Sequence, residues 1–209
     1  PGSLTGTQVI VRPTVPTSYT VIATNTACTS AKVVEVSVLE CRTNVLGVTF
    51  AASKPKAEGS DIFKIDFTVS VVNMGNAPVS NFSLINDLKT TFTAPGTYTI
   101  VNAPQLLSSG GGLVANTFYD GTTDLNLVNS GASLGAGKGD TLHFSTLYEP
   151  RGYYGRLLTN ALAQGFLPSG TAVRDSSNNG FEYDPDSDGN PTNNNASTPI
   201  DIDFINLFI

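Results

Sequence analysis

Three aspartates recur at every second position near the carboxyl end of the chain, in the segment Asp184-Pro185-Asp186-Ser187-Asp188-Gly189-Asn190. Carboxylates at this spacing converge on one small volume only if the backbone curls tightly, and the closing Gly-Asn pair permits such a curl. Ca²⁺ takes roughly six to eight oxygen ligands at about 2.3–2.6 Å, so calcium binding is the chemistry that this segment suits. The alternative is a solvated acidic turn without an ion.

The segment resembles the first half of an EF-hand calcium loop. Ligand positions one, three and five of such a loop fall on the three aspartates, the turn falls on Gly189, and the carbonyl of position seven falls on Asn190. The position of the bidentate Glu that ends an EF-hand loop is Asn195, and the flanking segments indicate turns and strands rather than helices. We therefore expect a calcium loop of the non-helical kind found in extracellular repeats.

Groups elsewhere in the chain are expected to complete the coordination, since three carboxylates supply too few oxygens for Ca²⁺. The candidates are Asp175, Glu182 or the run Asn193–Asn195. The predicted metal-ligating residues are therefore Asp184, Asp186, Asp188, Asn190, Asp175, Glu182 and Asn195.

The composition is typical of strands joined by turns. Only 13% of the 209 residues are charged, and the net charge is −6. An acidic chain lacks the basic face that nucleic acid requires. No apolar run reaches the length of about 18 residues that would span a bilayer. We expect a secreted protein with no nucleic-acid partner and no membrane span.

Alternation of apolar and polar residues predicts β-strands. The clearest strand is Asp61–Asn73, and in a second one, Asp140–Tyr148, the side chains of Leu142, Phe144 and Tyr148 are expected to face the core. Further strands are expected over Gln8–Arg12, Ser18–Ala23, Lys32–Leu39, Ser80–Asn86, Gly96–Val101, Asn116–Leu127, Leu157–Gln164 and from Thr198 onwards. Short strands about ten residues apart predict an all-β fold, an antiparallel β-sandwich of the immunoglobulin-like kind.

A domain boundary is expected at Leu39–Asn44, which separates a partial unit (1–41) from a larger unit (45–209). If Thr17–Thr24 and Ala31–Leu39 form a hairpin, Cys28 lies at its tip and Cys41 lies beyond its far end, about 20 Å away. A disulfide needs Cα atoms within about 7 Å. Each cysteine is therefore expected to be free or to pair with a cysteine outside this chain.

The first unit contains the segment VRPTVPTSYTVIATNTACTSAKVVEVSV. This segment closely resembles the closing strands of immunoglobulin-like or PKD-like repeats in large bacterial surface proteins. The resemblance covers only the C-terminal half of such a repeat. Either upstream strands are missing from this chain, or another subunit supplies them.

The second unit resembles, over residues 45–204, the tandem conserved repeat of bacterial cell-surface adhesins catalogued as domain of unknown function eleven. The matching segments are, in order, FTVSVVNMGNAPVSNFSLINDL, ANTFYDGTTDLNLVNSGASLGAGKGDTLHFSTLYEP, LTNALAQG and VRDSSNNGFEYDPDSDGNPTNNNASTPIDI. The most similar version occurs in large Bacteroidetes surface proteins associated with adhesion and gliding. The resemblance implies an immunoglobulin-like spacer, usually without catalysis.

Catalytic and zinc chemistry are not expected. His143 is the only histidine, and no Gly-x-Ser-x-Gly elbow supplies a nucleophile for a triad. Zinc would need a second histidine or a Cys-x-x-Cys pair. We therefore predict that the protein is not an enzyme.

Two other segments suggest alternative functions. From Ile205 the last predicted strand is apolar on both faces, which favours insertion into a neighbouring subunit and hence an extracellular filament or sheath assembled by β-strand addition. The structural alternative is a core strand. Separately, Tyr148, Tyr153 and Tyr154 beside two arginines suggest a carbohydrate-binding surface, whose alternative is a packed corner of the sandwich.

The sequence thus predicts a non-enzymatic, secreted cell-surface adhesin or stalk segment that calcium stiffens. Its expected partners are neighbouring domains or subunits of the same surface protein or fibre, with a glycan as a further candidate ligand.

Overall fold

The computed structural model describes residues 5–13, 15–36, 45–59 and 61–203. The strands are β1 (Thr17–Thr24), β2 (Thr29–Val36), β3 (Leu46–Ala52), β4 (Lys56–Gly59), β5 (Ile62–Asn73), β6 (Val79–Ile85), β7 (Thr97–Ser109), β8 (Ala132–Leu134), β9 (Gly139–Glu149), β10 (Gly155–Thr159), β11 (Leu162–Phe166), β12 (Ala172–Ser176), β13 (Asn178–Asn179) and β14 (Thr198–Ile202). The helices are α1 (Leu88–Thr91) and a 3₁₀-helix (Pro191–Asn193). Within the described part of the chain, no helix has the length and apolarity needed to cross a membrane.

The chain divides into two compact units, Pro1–Cys41 and Arg42–Ile209. In the first unit β1 and β2 form the predicted antiparallel hairpin. Its turn is closed by the side chain of Asn25, whose Oδ1 accepts the N–H of Cys28 at 2.8 Å, and Cys28 is exposed at the tip as predicted. Cys41 lies outside the described residues. The predicted strand Gln8–Arg12 is wrong, because this segment pairs with neither strand of the hairpin.

The hairpin carries an apolar face that the described residues leave open. Tyr19 is paired with Val34, and Val21 lies on the same face two residues further along β1. Val21 is 54% exposed and Val34 is 41% exposed. A two-stranded hairpin is marginally stable by itself in water, so further cover for this face would stabilise the unit.

The second unit is an all-β sandwich, as predicted. The larger sheet, named the main sheet below, has the order β13-β3-β5-β9-β7, and β4 pairs with β5 beyond the end of β3. A four-stranded sheet has the order β12-β11-β6-β8, and β10 pairs with β14. Every pairing is antiparallel except that of β13 with β3. Buried residues from all these sheets form one hydrophobic core.

Period-two alternation builds this core from the central strands. In β5 the odd-numbered residues from Phe63 to Val71 are buried, as the sequence predicts. Phe67 stacks on Phe144 of β9 with ring centroids 4.8 Å apart, and Tyr119 meets Phe144 edge-on at 5.3 Å. These aromatic contacts join the main sheet to the loop that precedes β8.

The predicted strand Asn116–Leu127 is wrong as a continuous strand. Its end bonds to β6, where the N–H of Leu127 donates to the Leu84 carbonyl at 2.8 Å, whereas its middle is a loop closed by the side chain of Asp120. Oδ1 of Asp120 accepts the N–H groups of Thr122, Thr123 and Asp124 at 2.7–3.0 Å, and Oδ2 accepts the hydroxyl of Thr123. The Thr123 hydroxyl and these N–H groups hold the pKa of Asp120 well below its ordinary value. Such local bonds compete with strand pairing.

The predicted strand Leu157–Gln164 is in fact two strands in different sheets. The break falls at Thr159 and Asn160, where Nδ2 of buried Asn86 donates to the Thr159 hydroxyl at 3.1 Å and to the Asn160 carbonyl at 2.6 Å. The last strand begins at Thr198 as predicted, with Ile200 and Ile202 buried. Residues 204–209, which carry the doubly apolar pattern, lie outside the described residues.

Candidate metal centre

The acidic loop, residues 180–190, is anchored at both ends on the edge of the main sheet. At its start, β13 pairs with Thr49 and Phe50 of β3, and the N–H of Gly180 donates to the Phe50 carbonyl at 2.9 Å. At its end, the 3₁₀-helix packs against β3 and β12 with its proline buried. The loop between these anchors is therefore short and closed.

Asn178 clamps the base of the loop. Its side chain is nearly buried, with the residue 7% exposed. Nδ2 donates to the carbonyl of Glu182 at 2.8 Å, and Oδ1 accepts the N–H of Ala196 at 3.3 Å. One side chain thus bonds both to the segment before the three aspartates and to the segment after them. Sequence reasoning missed this residue, because the neighbouring asparagines are equivalent to it in type.

The predicted curl brings the three aspartates together. Asp184, Asp186 and Asp188 each offer a carboxylate oxygen, and these oxygens lie within 4.8 Å of one another. Ser187 and Gly189 adopt left-handed φ values of 56° and 82°, which turn the chain back on itself. Within the described ranges, no other group of three His, Cys, Asp or Glu residues is gathered in this way. The cluster could hold a metal ion.

Backbone N–H groups of the loop orient two of the carboxylates. Oδ2 of Asp184 accepts the N–H of Gly189 at 3.0 Å, and Oδ1 of Asp188 accepts the N–H of Asn190 at 2.7 Å. The carbonyl of Asp184 also accepts the N–H of Ser187 at 3.2 Å. These bonds hold the carboxylates in a loop that has no helix on either side.

The asparagines that follow the loop form a second layer around the aspartates. Nδ2 of Asn193 donates to Oδ2 of Asp188 at 2.8 Å, and Nδ2 of Asn194 donates to Oδ1 of Asp186 at 3.1 Å. The bond from Asn194 lowers the pKa of Asp186. Amide groups that hydrogen-bond ligating carboxylates fix their orientation, which is the usual role of an outer layer at a metal site.

One buried oxygen of the cluster has no hydrogen-bond partner among the described residues. Oδ1 of Asp184 is buried and unpaired. A buried polar atom without a partner costs free energy, and more so when it carries charge. A cation beside Asp184 would supply the missing interaction and offset the repulsion among the three carboxylates. Since every ligand on offer is an oxygen, the donor set suits a hard cation rather than zinc or copper.

Asp175 lies in the sandwich rather than in the loop. It is 3% exposed on β12, and its Oδ2 accepts the N–H of Val48 on β3 at 2.8 Å. This bond links β12 of the four-stranded sheet to β3 of the main sheet. Burial raises the pKa of Asp175 to about 7. Asp175 does not belong to the group of three gathered carboxylates.

The other predicted ligands surround the loop without joining that group. Glu182 is exposed, and it contributes its carbonyl to the Asn178 clamp. The carbonyl of Asn190 accepts the N–H of Asn193 at 3.5 Å as the 3₁₀-helix begins. Asn195 donates its side-chain amide to the Thr192 carbonyl at 3.1 Å. As ligands, these residues stay predictions.

His143 lies on the outer face of the main sheet with Asp66 and Ser145. Its Nε2 is 3.8 Å from Oδ1 of Asp66, and the hydroxyl of Ser145 donates to that same oxygen at 2.7 Å. Ser145 is fully buried and bonds to the carboxylate rather than to the histidine. This arrangement differs from a triad, in which the nucleophile bonds to the imidazole base.

Tyr148 packs the end of the sandwich, so the alternative of a carbohydrate-binding surface is wrong for this residue and stays a prediction for Tyr153 and Tyr154. The ring of Tyr148 is fully buried and stacks on Phe92 with centroids 4.6 Å apart. The hydroxyl of Tyr154 donates to Asp61, and Tyr153 is 44% exposed. A buried ring cannot present its face to a glycan.

Two of the solved structures that resemble this chain show only a weak likeness. The N-terminal domain of PorA aligns at a TM-score of 0.31 and 10% identity over 64% of this chain and 96% of that chain. A family 123 glycoside hydrolase from Clostridium perfringens aligns at a TM-score of 0.29 and 9% identity over 64% of this chain and 27% of that chain. We base no argument on either likeness. No protein-family model matches the chain, and no curated protein sequence matches it significantly.

Proposed function

We propose that the second unit is a calcium-stiffened, non-enzymatic module of a secreted cell-surface protein of the adhesin or stalk type. The observation that carries this proposal is the gathering of Asp184, Asp186 and Asp188, with one buried carboxylate oxygen left unpaired. The sandwich fold and the sequence resemblance to immunoglobulin-like surface repeats support the extracellular setting.

Calcium would act as a cross-link within the loop. Without a cation, three negative charges within 4.8 Å of one another repel and favour an open loop. With calcium bound, the loop is tied to the anchors on β3 that precede and follow it. Extracellular modules bind calcium with Kd values of about 10⁻⁴–10⁻³ M, so the site would be filled outside a cell and empty within one.

Limited digestion with chymotrypsin tests this function. We expect cleavage after Phe181 and Tyr183 to be at least tenfold faster in chelator than in 10 mM calcium, because cleavage requires the loop to open. Phe118, which is 85% exposed on a loop without aspartates of this spacing, is the internal control, and its cleavage should not respond to calcium. Fragments would be timed by mass spectrometry.

An Asp186→Asn variant is the matched control protein. It keeps the size of the side chain and removes one charged calcium ligand, so the cleavage rate of its loop should be the same with and without calcium. Equal cleavage rates of the wild-type loop in calcium and in chelator would contradict the proposal, and so would full calcium protection of the variant.

A second candidate function is a subunit of an extracellular filament assembled by β-strand addition. The open apolar face of the β1–β2 hairpin, with Val21 and Val34 exposed, is the observation that favours it. The doubly apolar residues 205–209 of a neighbouring copy are proposed to pair with an edge of the hairpin, so that their apolar side chains extend that face. Light scattering should then show concentration-dependent oligomers for the full chain and a monomer for a chain that ends at Asp203. A monomeric full chain at high concentration would exclude this candidate.

A further inference from the structure

A row of hydroxyl groups crosses the outer face of the main sheet beside the acidic loop. Ser70 of β5 and Ser108 of β7 are both register partners of Thr141 on β9. The hydroxyls of Ser70 and Thr141 are 2.9 Å apart, and Ser108 Oγ accepts the N–H of Thr141 at 3.1 Å. These contacts fix the positions of three neutral hydrogen-bonding groups on a rigid sheet.

Two aromatic side chains stand against this row. Tyr183 rests on the sheet at Gly47, where a Cβ atom would lie only 3.0 Å from the tyrosine ring. The absence of a side chain at Gly47 therefore leaves the space that the tyrosine ring occupies. Phe181 stands two residues earlier and is 72% exposed. Its backbone follows directly on Gly180, whose N–H is bonded to β3, so the phenyl ring is presented from an anchored segment.

The aromatic rings and the hydroxyl row enclose a cavity of about 240 Å³. Its floor includes Val72 and Gly139 on the sheet. Pockets that enclose drug-sized ligands measure roughly 300–1,000 Å³, so this cavity suits one unit of a larger molecule. We name it the sheet-face pocket.

The charge of the sheet-face pocket narrows the class of ligand. Asp140 is the only ionisable acidic or basic side chain among its lining residues, and it is 1% exposed. Both of its oxygens are occupied, since Oδ1 accepts the N–H of Gly111 at 2.6 Å and Oδ2 accepts the N–H of Leu113 at 2.8 Å. The groups that remain for a ligand are hydroxyls and aromatic rings, which favours a neutral ligand.

We propose that the sheet-face pocket binds one pyranose unit of a neutral glycan. The C–H face of a sugar ring packs on an exposed aromatic ring such as Phe181, and the sugar hydroxyls exchange hydrogen bonds with the row formed by Ser70, Thr141 and Ser108. This arrangement gives an apolar contact on one side of the ring and polar contacts at its edge. Binding of a single pyranose unit in a pocket of this size is expected to be weak.

A panel of neutral hexasaccharides built from glucose, mannose, xylose, galactose and N-acetylglucosamine tests the proposal. Binding is measured by NMR titration of the full chain with calcium present throughout. We expect at least one hexasaccharide to bind, Phe181→Ala to weaken that binding at least tenfold, and Thr141→Val, which removes one hydroxyl at nearly constant volume, to weaken it about threefold or more.

Phe118→Ala is the matched control, because Phe118 is an even more exposed phenylalanine on another loop. Its binding should equal that of the wild type. Failure of every hexasaccharide to bind would overturn the proposal. Unchanged binding by both Phe181→Ala and Thr141→Val would overturn it too, as would an equal loss in Phe118→Ala. Calcium protection of the loop in the digestion experiment is a separate readout, so loss of sugar binding would leave that result standing.

Discussion

Removal of calcium is expected to lower the melting temperature of the protein by roughly 3–10 °C. A cation that binds only the folded state stabilises it by RT ln(1 + [L]/Kd), which is about 1.4–2.7 kcal/mol when calcium is present at about 10–100 times Kd. For a domain of this size, each kcal/mol shifts the melting temperature by about 2–4 °C. The measurement compares thermal unfolding in 10 mM calcium with unfolding in chelator, with calcium added back afterwards.

Two variants make this result specific to the aspartate cluster. Asp186→Asn should lose the calcium response, whereas Glu35→Gln, an exposed acidic residue of the first unit, should keep it in full. An unchanged melting temperature in chelator would contradict the account. A calcium response of equal size in both variants would show that the ion acts elsewhere.

Asp175→Asn is expected to change the pH dependence of stability by about 4 kcal/mol between pH 4 and pH 8. The wild-type carboxyl is buried between the sheets, and its Oδ1 has no hydrogen-bond partner. The strands β3 and β11 and the 3₁₀-helix, which pack against β12, carry no ionisable side chain. Burial therefore raises the pKa of Asp175 to about 7 from an ordinary value of 3.8.

The sign follows from where the proton is held. Below about pH 4 the carboxyl is protonated in both folded and unfolded chains, so it brings no ionic penalty. Between pH 4 and pH 7 the folded state keeps a proton that the unfolded state has released, and the free energy of unfolding falls as pH rises. Above pH 7 the full penalty applies. It amounts to about 4 kcal/mol, from about three pKa units at about 1.4 kcal/mol each.

Asparagine mimics the neutral form of Asp175 and keeps an oxygen for the N–H of Val48. The free-energy difference between variant and wild type should therefore move in favour of the variant as pH rises. Chemical denaturation at pH 4, 6 and 8 measures it, with the exposed Asp203→Asn as control. A difference that is constant across this range would show that the pKa of Asp175 is not raised in the folded protein.

Strand prediction succeeded where the pattern is local. The alternation in Asp61–Asn73 and Asp140–Tyr148 reflects one buried and one outer face, which depends only on neighbouring residues. It failed for Asn116–Leu127, because the carboxylate of Asp120 accepts three backbone N–H groups within the loop and so competes with strand pairing. It also missed the break at Thr159, because Asn86, which holds it, lies 73 residues away in the chain.

In the candidate site, the three aspartates could be predicted from the sequence, whereas the roles of Asn178 and Asp175 could not. The spacing of the three aspartates and the Gly-Asn pair that closes the segment are sufficient to predict a tight turn that gathers them, because all of these residues are neighbours in the chain. The Asn178 clamp depends on two segments that meet only in the folded chain. Asp175 was proposed as a ligand from its proximity in sequence, whereas its strand directs it toward Val48.

Titration of chelator-stripped, uniformly ¹⁵N-labelled protein with calcium, followed by NMR, tests the central claim most directly. The account predicts saturable shifts in the backbone amides of residues 180–195, with a Kd of about 10⁻⁴–10⁻³ M and no such shifts in Asp186→Asn. Shifts spread evenly over the acidic surface, or no saturation at millimolar calcium, would contradict it.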